Sequence, residues 1–283
     1  MTRRGRRDLA QRAGFGTLLA AALILAASSG RAAAAEPVAG CSRPIVMAAA
    51  PLGRSVMITP EGGVSGAQYD LLVRAGALGG CVFDPTILPW ARAVAMLEAG
   101  SIDLLPGAVW SAKRDEIADF VVVDRVSPML MSLSDRHLGI ASLAALNGSK
   151  LRLGVVRGFD YGADYRALLA GLEEQHRLAI VSDADTAARE LSGGRIDAVL
   201  MVPMIFADSA EKLGLGERLE LVHLDGLETV RAGVYLSHAR LEPADRGRIA
   251  AAIRLARQQP GGYLGLLKHY YPDWALSGVE EGD

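Results

Sequence analysis

The sequence predicts an α/β protein of two lobes, each built on a mostly parallel sheet flanked by helices. Three observations carry this reading. Short apolar runs alternate with segments of helical spacing, the pattern of βαβ units. The alternation occurs twice, over residues 45–105 and again over 151–201. The chain has 283 residues, more than the roughly 100–200 typical of one domain. Hydrophobic residues make up 51% and charged residues 22%, a globular composition that excludes a disordered or fibrous chain.

Residues 45–50 read as a buried strand, and Pro51, Gly53, Gly62 and Gly63 punctuate the loop after it. A helix follows over 68–78, with Leu71, Leu72, Ala75 and Leu78 at helical spacing and Gly79-Gly80 as its stop. Residues 81–83 form the next strand, 91–99 form a helix capped by Gly100, and 102–105 form a third strand. In the second round, a strand over 151–156 leads into a helix over 162–172. A strand over 178–181, a helix over 186–191 and a strand over 196–201 complete it. Leu97-Glu98-Ala99-Gly100-Ser101-Ile102-Asp103 echoes Leu191-Ser192-Gly193-Gly194-Arg195-Ile196-Asp197. Both are a helix end, a glycine stop and a strand opening with Ile-Asp, which any βαβ unit needs.

Between the rounds, residues 120–133 are apolar and β-branched and carry the chain from one lobe to the other. Residues 219–224 and 230–236 carry it back, giving two crossings, and an amphipathic helix over 243–259 begins the tail. The expected division is 41–126 with 230–283 for the first lobe and 127–229 for the second. A cleft between two lobes is a favoured place for a small ligand.

The first 35 residues are expected to be a secretory signal peptide. Five arginines over residues 3–12 precede a 13-residue apolar run over 15–27, and Ala33-Ala34-Ala35 supplies small residues for cleavage. That run is shorter than the ~20 residues of a transmembrane helix. The predicted location is the periplasm. Val38-Ala39-Gly40-Cys41 resembles a lipoprotein box, but Arg31, Glu36 and Pro37 separate it from the apolar run, which disfavours anchoring at Cys41. Without the first 35 residues the formal charge falls from −2 to −7. An acidic body argues against nucleic acid and against an anionic membrane surface. Cys41 and Cys81 are the only cysteines. Each precedes or opens an apolar run, so parallel neighbouring strands would bring them to one end of the sheet. A disulfide suits an oxidising compartment.

Four blocks, in order, make the chain resemble the periplasmic solute-binding proteins of family 3, the polar amino-acid-binding type. They are Gly66-Ala67-Gln68-Tyr69-Asp70, Trp90 with the Leu97–Asp103 echo, Ser111-Ala112-Lys113-Arg114 with Phe120, and Gly154-Val155-Val156-Arg157-Gly158. The resemblance spans residues 45–272. It implies a type II periplasmic-binding-protein-like fold and a monomer that closes about two hinge crossings on a small-molecule solute, then meets an inner-membrane transporter or sensor. It implies no cofactor.

The resemblance places Arg114 where a guanidinium holds the solute's carboxylate, for which its planar fork is suited. Trp90 falls where an aromatic stacks on the solute, although a tryptophan beside Pro89 also suits a core. Gly107, Phe159, Asp160, Tyr161 and Val202 complete the expected ligand-binding set, the middle three where a helix N-terminus faces an anion. Two departures bear on the solute. Asp160 stands where small hydroxyl residues are usual. Val202, followed by Pro203, stands where an ammonium-binding aspartate is usual. Either Asp160 replaces that acid or the solute is not an α-amino acid.

Enzyme signatures are sparse. His137, His176, His223, His238 and His269 are scattered, with no HExxH and no G-x-S-x-G. No catalytic or metal-binding residue is assigned, and Asp103 and Asp197 read as structural. One enzymatic alternative is a dehydratase acting on cyclohexadienyl acids, which the same resemblance includes. A sensing subunit without a transport role is the other alternative.

Overall fold

A computed structural model of the chain describes residues 40–282. The expected signal segment lies outside the described residues. Two large sheets form the framework. The strands are β1 (Ile45–Ala49), β2 (Met57–Ile58), β3 (Val64–Ser65), β4 (Phe83–Ile87), β5 (Leu104–Val109), β6 (Ala118–Val126) and β7 (Met129–Leu133). Then come β8 (Leu153–Val156), β9 (Leu178–Val181), β10 (Ala198–Met201), β11 (Leu219–Val222), β12 (Val230–Ser237) and β13 (Val279–Glu281). The helices are α1 (Ala67–Gly79), α2 (Trp90–Glu98), α3 (Ala112–Asp115), α4 (Leu143–Gly148) and α5 (Ala163–Glu174). They continue with α6 (Ala184–Ser192), α7 (Pro203–Lys212), α8 (Pro243–Gln258) and α9 (Tyr263–Tyr270).

The first sheet has the order β13-β6-β12-β5-β1-β4, the second β11-β7-β10-β8-β9, and β2 with β3 makes a small hairpin. Both large sheets have a parallel core and also hold antiparallel members. The βαβ strands β4, β1 and β5 run parallel, as do β9, β8 and β10. Of the strands that bring the chain between sheets, β12 lies antiparallel to β5 and β6 antiparallel to β12, while β7 lies antiparallel to β10 and β11 antiparallel to β7. The chain leaves the first sheet through Ser127 and Pro128 and returns between β11 and β12. The Ser127 and Thr229 hydroxyls hydrogen-bond at 2.7 Å, which ties the two crossings together.

Two strands run further than the sequence reading expects, and for one kind of reason. The reading ends a strand at Phe83, before Pro85, and another at Leu105, before Pro106-Gly107. In the structure β4 continues through Pro85, because it is an edge strand whose missing N–H breaks no ladder. β5 continues through Pro106 and Gly107 because its register on β12 skips Gly107, a bulge. Helix α7 and the short α3 and α4 are elements the sequence reading lacks. Pro203 stands at the first turn of α7, where its missing N–H costs nothing.

The repeated Ile-Asp opening has a shared physical role. The Asp103 N–H donates to the Val46 carbonyl, and the Val46 N–H donates back to the Asp103 carboxylate at 2.8 Å. Asp197 makes the same two-way clasp with Arg152, both bonds at 2.8 Å. Each aspartate thereby fastens its strand's entry to the neighbouring strand. Asp103 is fully buried and also accepts from Arg43 and Arg240. Burial pushes its carboxyl up, but the Arg43, Val46 and Arg240 hydrogen bonds outweigh burial and hold it below the usual range.

Cys41 and Cys81 are joined by a disulfide with Cα atoms 4.8 Å apart. As expected, it sits where β1 and β4 begin in parallel, with Ile45 opposite Phe83. The bond spans 40 residues of sequence, for which loop-closure entropy gives about 4 kcal/mol. The double variant Cys41→Ala/Cys81→Ala should lose about 2–4 kcal/mol in urea unfolding; unchanged stability would mean that the closed loop contributes nothing.

Candidate functional site

The two sheets meet at a narrow cleft with a cavity volume of about 50 Å³. All seven ligand-site residues expected from the sequence (Arg114, Trp90, Gly107, Phe159, Asp160, Tyr161 and Val202) line it. So do Asp124, Gln68 and Tyr263, which the sequence reading lacks. The signal for Asp124 was available: it is the only acid within the run Val121-Val122-Val123-Asp124-Arg125-Val126.

Arg114 lies on α3, a single turn capped by the Ser111 side chain. It is 8% exposed. One terminal NH2 donates to the Val109 carbonyl at 3.3 Å, while the buried Nε has no partner among the described residues. The guanidinium carbon lies 6.0 Å from the centre of the Tyr235 ring. Tyr235 also holds the turn, since its hydroxyl accepts from the Ser111 N–H at 2.7 Å. An unmet buried donor costs roughly 1–3 kcal/mol, so the site keeps a guanidinium fork ready for an acceptor.

Trp90 begins α2 and reaches across the cleft. Its indole N–H donates to the Gly158 carbonyl at 3.2 Å, and its ring meets Phe159 edge-on at 5.8 Å. The lobes also meet through Arg54, which pairs with Asp208 at 3.7 Å and with Glu211. Trp90 is therefore both a wall of the pocket and a tie between its halves.

The helix read from the sequence over 162–172 starts within one residue of that reading. α5 begins at Ala163 behind Gly162, so Phe159, Asp160 and Tyr161 precede the helix. The Asp160 carboxylate accepts from the Gly162 N–H at 3.0 Å and from Arg166 at 2.8 Å. Its charge is thus met from outside the cleft. Tyr161 stacks edge-on against Tyr165 at 5.0 Å, and burial raises its phenol well above the usual range. Val202 is buried immediately before α7 and presents no acid, so the wall there is apolar with Met204 and Ile205.

Gly107 is the bulge residue of β5, with φ of +73°. A Cβ there would stand 2.4 Å from Leu52 Cδ2 and 3.0 Å from Gln68 Oε1. The glycine is required twice, by its backbone and by the closeness of the cleft wall. Among the described residues no group of three His, Cys, Asp or Glu is placed to hold a metal ion, and no helix is long and apolar enough to cross a membrane.

No protein-family model matches the chain, and no curated protein matches it in sequence. Solved structures do share its fold. A histidine kinase sensor domain with similarity to periplasmic binding proteins is 21% identical, with a TM-score of 0.67, covering 85% of this chain and 98% of that one. ArtJ, the arginine-, lysine-, histidine-binding protein of Geobacillus stearothermophilus, is 15% identical, with a TM-score of 0.68, covering 82% and 97%. An ABC uptake transporter substrate-binding protein of Streptococcus pneumoniae, with bound histidine, is 18% identical, with a TM-score of 0.66, covering 81% and 92%. The chain has the two-lobed type II periplasmic-binding-protein fold. At these identities the likeness is one of fold, and what each neighbour binds belongs to that neighbour.

The bulge at Gly107 yields a test. Gly107→Ala should destabilise the protein by about 1–3 kcal/mol through overpacking against Leu52 and Gln68, read as a lowered urea midpoint. Wild-type stability in this variant would show that the wall of the cleft yields freely.

Proposed function

We propose that this protein is an exported solute-binding receptor of the periplasm, related to the polar amino-acid-binding type. It takes a small carboxylate-bearing solute, an amino acid or a related organic acid, between its lobes for uptake through an inner-membrane transporter. The observation that carries this is Arg114: a buried guanidinium with an unmet Nε in an apolar cleft between two lobes. A carboxylate matches that fork with charge-assisted hydrogen bonds. Trp90, Phe159, Val202 and Met204 offer apolar surface to the rest of the solute. Binding shifts an equilibrium between open and closed lobes by the solute's differential affinity for the two.

A second reading has its own support. The likeness to a kinase sensor domain covers 98% of that chain, so the same capture can serve signalling instead of uptake. Both readings share the solute and differ in the partner.

The test is a thermal-shift screen of the protein from Glu36 onward against amino acids, keto acids, dicarboxylates, polyamines and aromatic acids. A solute at 100 times its Kd stabilises by about 2.7 kcal/mol, a shift of about 5–10 °C for a protein of this size. Arg114→Ala should weaken the hit by about 2–5 kcal/mol. An unchanged affinity in that variant removes Arg114 from the reading. A solute that is consumed, as followed by mass spectrometry, turns the receptor into an enzyme.

A further inference from the structure

Strand β6 changes phase part-way along. From Phe120 to Val123 the odd-numbered positions Val121 and Val123 are buried, while Phe120 and Val122 are half-buried. Beyond Val123 the even positions Asp124 and Val126 are the buried ones. The cause is a second bulge: on β12, Ala232 pairs with Asp124 and Gly233 with Val122, so Val123 is skipped. A bulge re-aims the side chains that come after it. The result is that Asp124, in an otherwise β-branched run, is 3% exposed and lines the cleft with Arg114.

A buried carboxylate is costly unless it is paired. Among the described residues no side chain forms an ion pair or hydrogen bond with Asp124. The other acid of the cleft, Asp160, is already held by Arg166 and Gly162. Tyr263 lines the cleft beside Asp124, and Arg257, Lys268 and Glu281 line an outer cavity that Asp124 also touches. Burial pushes the Asp124 carboxyl up to about 7, against a weaker downward pull from Arg257 and its own backbone N–H.

We propose that Asp124 is a specificity-determining residue of the cleft, pairing with a protonated amine or guanidinium on the same solute whose carboxylate Arg114 holds. The inference rests on the receptor reading and narrows the solute to one carrying both charges. Val202 then needs no acid, because the acid stands on the other lobe. The cationic solute pairs with the ionised carboxylate, so binding near neutral pH releases the proton that Asp124 holds in the free protein. The amine-bearing solute should therefore bind about tenfold more weakly for each pH unit below 7. A solute without the cation should not weaken as pH falls.

The experiment is calorimetric titration with matched pairs that differ only in the amine: alanine and pyruvate, glutamate and 2-oxoglutarate, phenylalanine and phenylpyruvate. Agmatine and putrescine supply cations without a carboxylate. The wild type should prefer the amine-bearing member of a pair at least tenfold at pH 8 and lose that preference by pH 5.5. Asp124→Asn should abolish the preference and leave the 2-oxo acid within about twofold of wild type. Equal affinity of Asp124→Asn and wild type for the amine-bearing member overturns the proposal while leaving Arg114 in place. A wild-type preference for 2-oxo acids overturns it also, and needs no variant to fold. Tight agmatine binding that Arg114→Ala does not weaken supports Asp124 and overturns the carboxylate half of the receptor reading. No binding of any probe by folded wild type overturns both.

Discussion

Strand β12 is the member on which the first sheet and the cleft both depend. It lies between β5 and β6, and both neighbours slip register on it at Gly233. A Cβ at Gly233 would stand 2.0 Å from the Val121 carbonyl oxygen, so only glycine lets the strands approach so closely. On one side the slip sets aside Gly107, and on the other Val123. The two bulges bring the closest wall of the cleft and its buried acid to one level of the sheet. β12 also supplies Tyr235, whose hydroxyl fixes the Ser111 turn and whose ring lies beside the Arg114 guanidinium. The geometry of both charged groups is therefore set from a single strand.

Those two groups lie in an apolar cleft, where an unpaired charge is more costly than on the surface, and burial accordingly pushes the Asp124 carboxyl up to about 7. Other charges of the fold are met from within: Asp103 by two arginines and a backbone N–H, Asp160 by Arg166 and Gly162. Arg114 keeps an unmet Nε, and the Asp124 carboxylate meets its own backbone N–H and the charge of Arg257 without an ion pair among the described residues. Function commonly tolerates stability losses of this kind at a binding site. A solute that supplies the missing partners recovers the cost on binding.

The helical and βαβ framework was legible because periodicity and glycine stops report local structure directly. Leu71, Leu72 and Ala75 mark the buried face of α1, and the parallel approach of Cys41 and Cys81 comes from β1 and β4 being neighbours. The boundaries that escaped were those where a breaker is tolerated by tertiary context: Pro85 on an edge strand, and Pro106-Gly107 at a bulge. The position of Asp124 is of the same kind. Strand alternation alone gives it the face of Phe120 and Val122, and only the skipped Val123 turns it inward. Asp160 escaped for another reason, since its engagement by Arg166 depends on a side-chain geometry that sequence spacing leaves open.

The most direct measurement is a crystal structure of the protein with a solute that raises its melting temperature. The solute's carboxylate oxygens are expected about 2.7–2.9 Å from the Arg114 guanidinium, with the Nε now donating, and the rest of the molecule against Trp90 and Phe159. A solute bound outside this cleft, or one that leaves the Arg114 Nε without an acceptor, would contradict the carboxylate-binding role of Arg114.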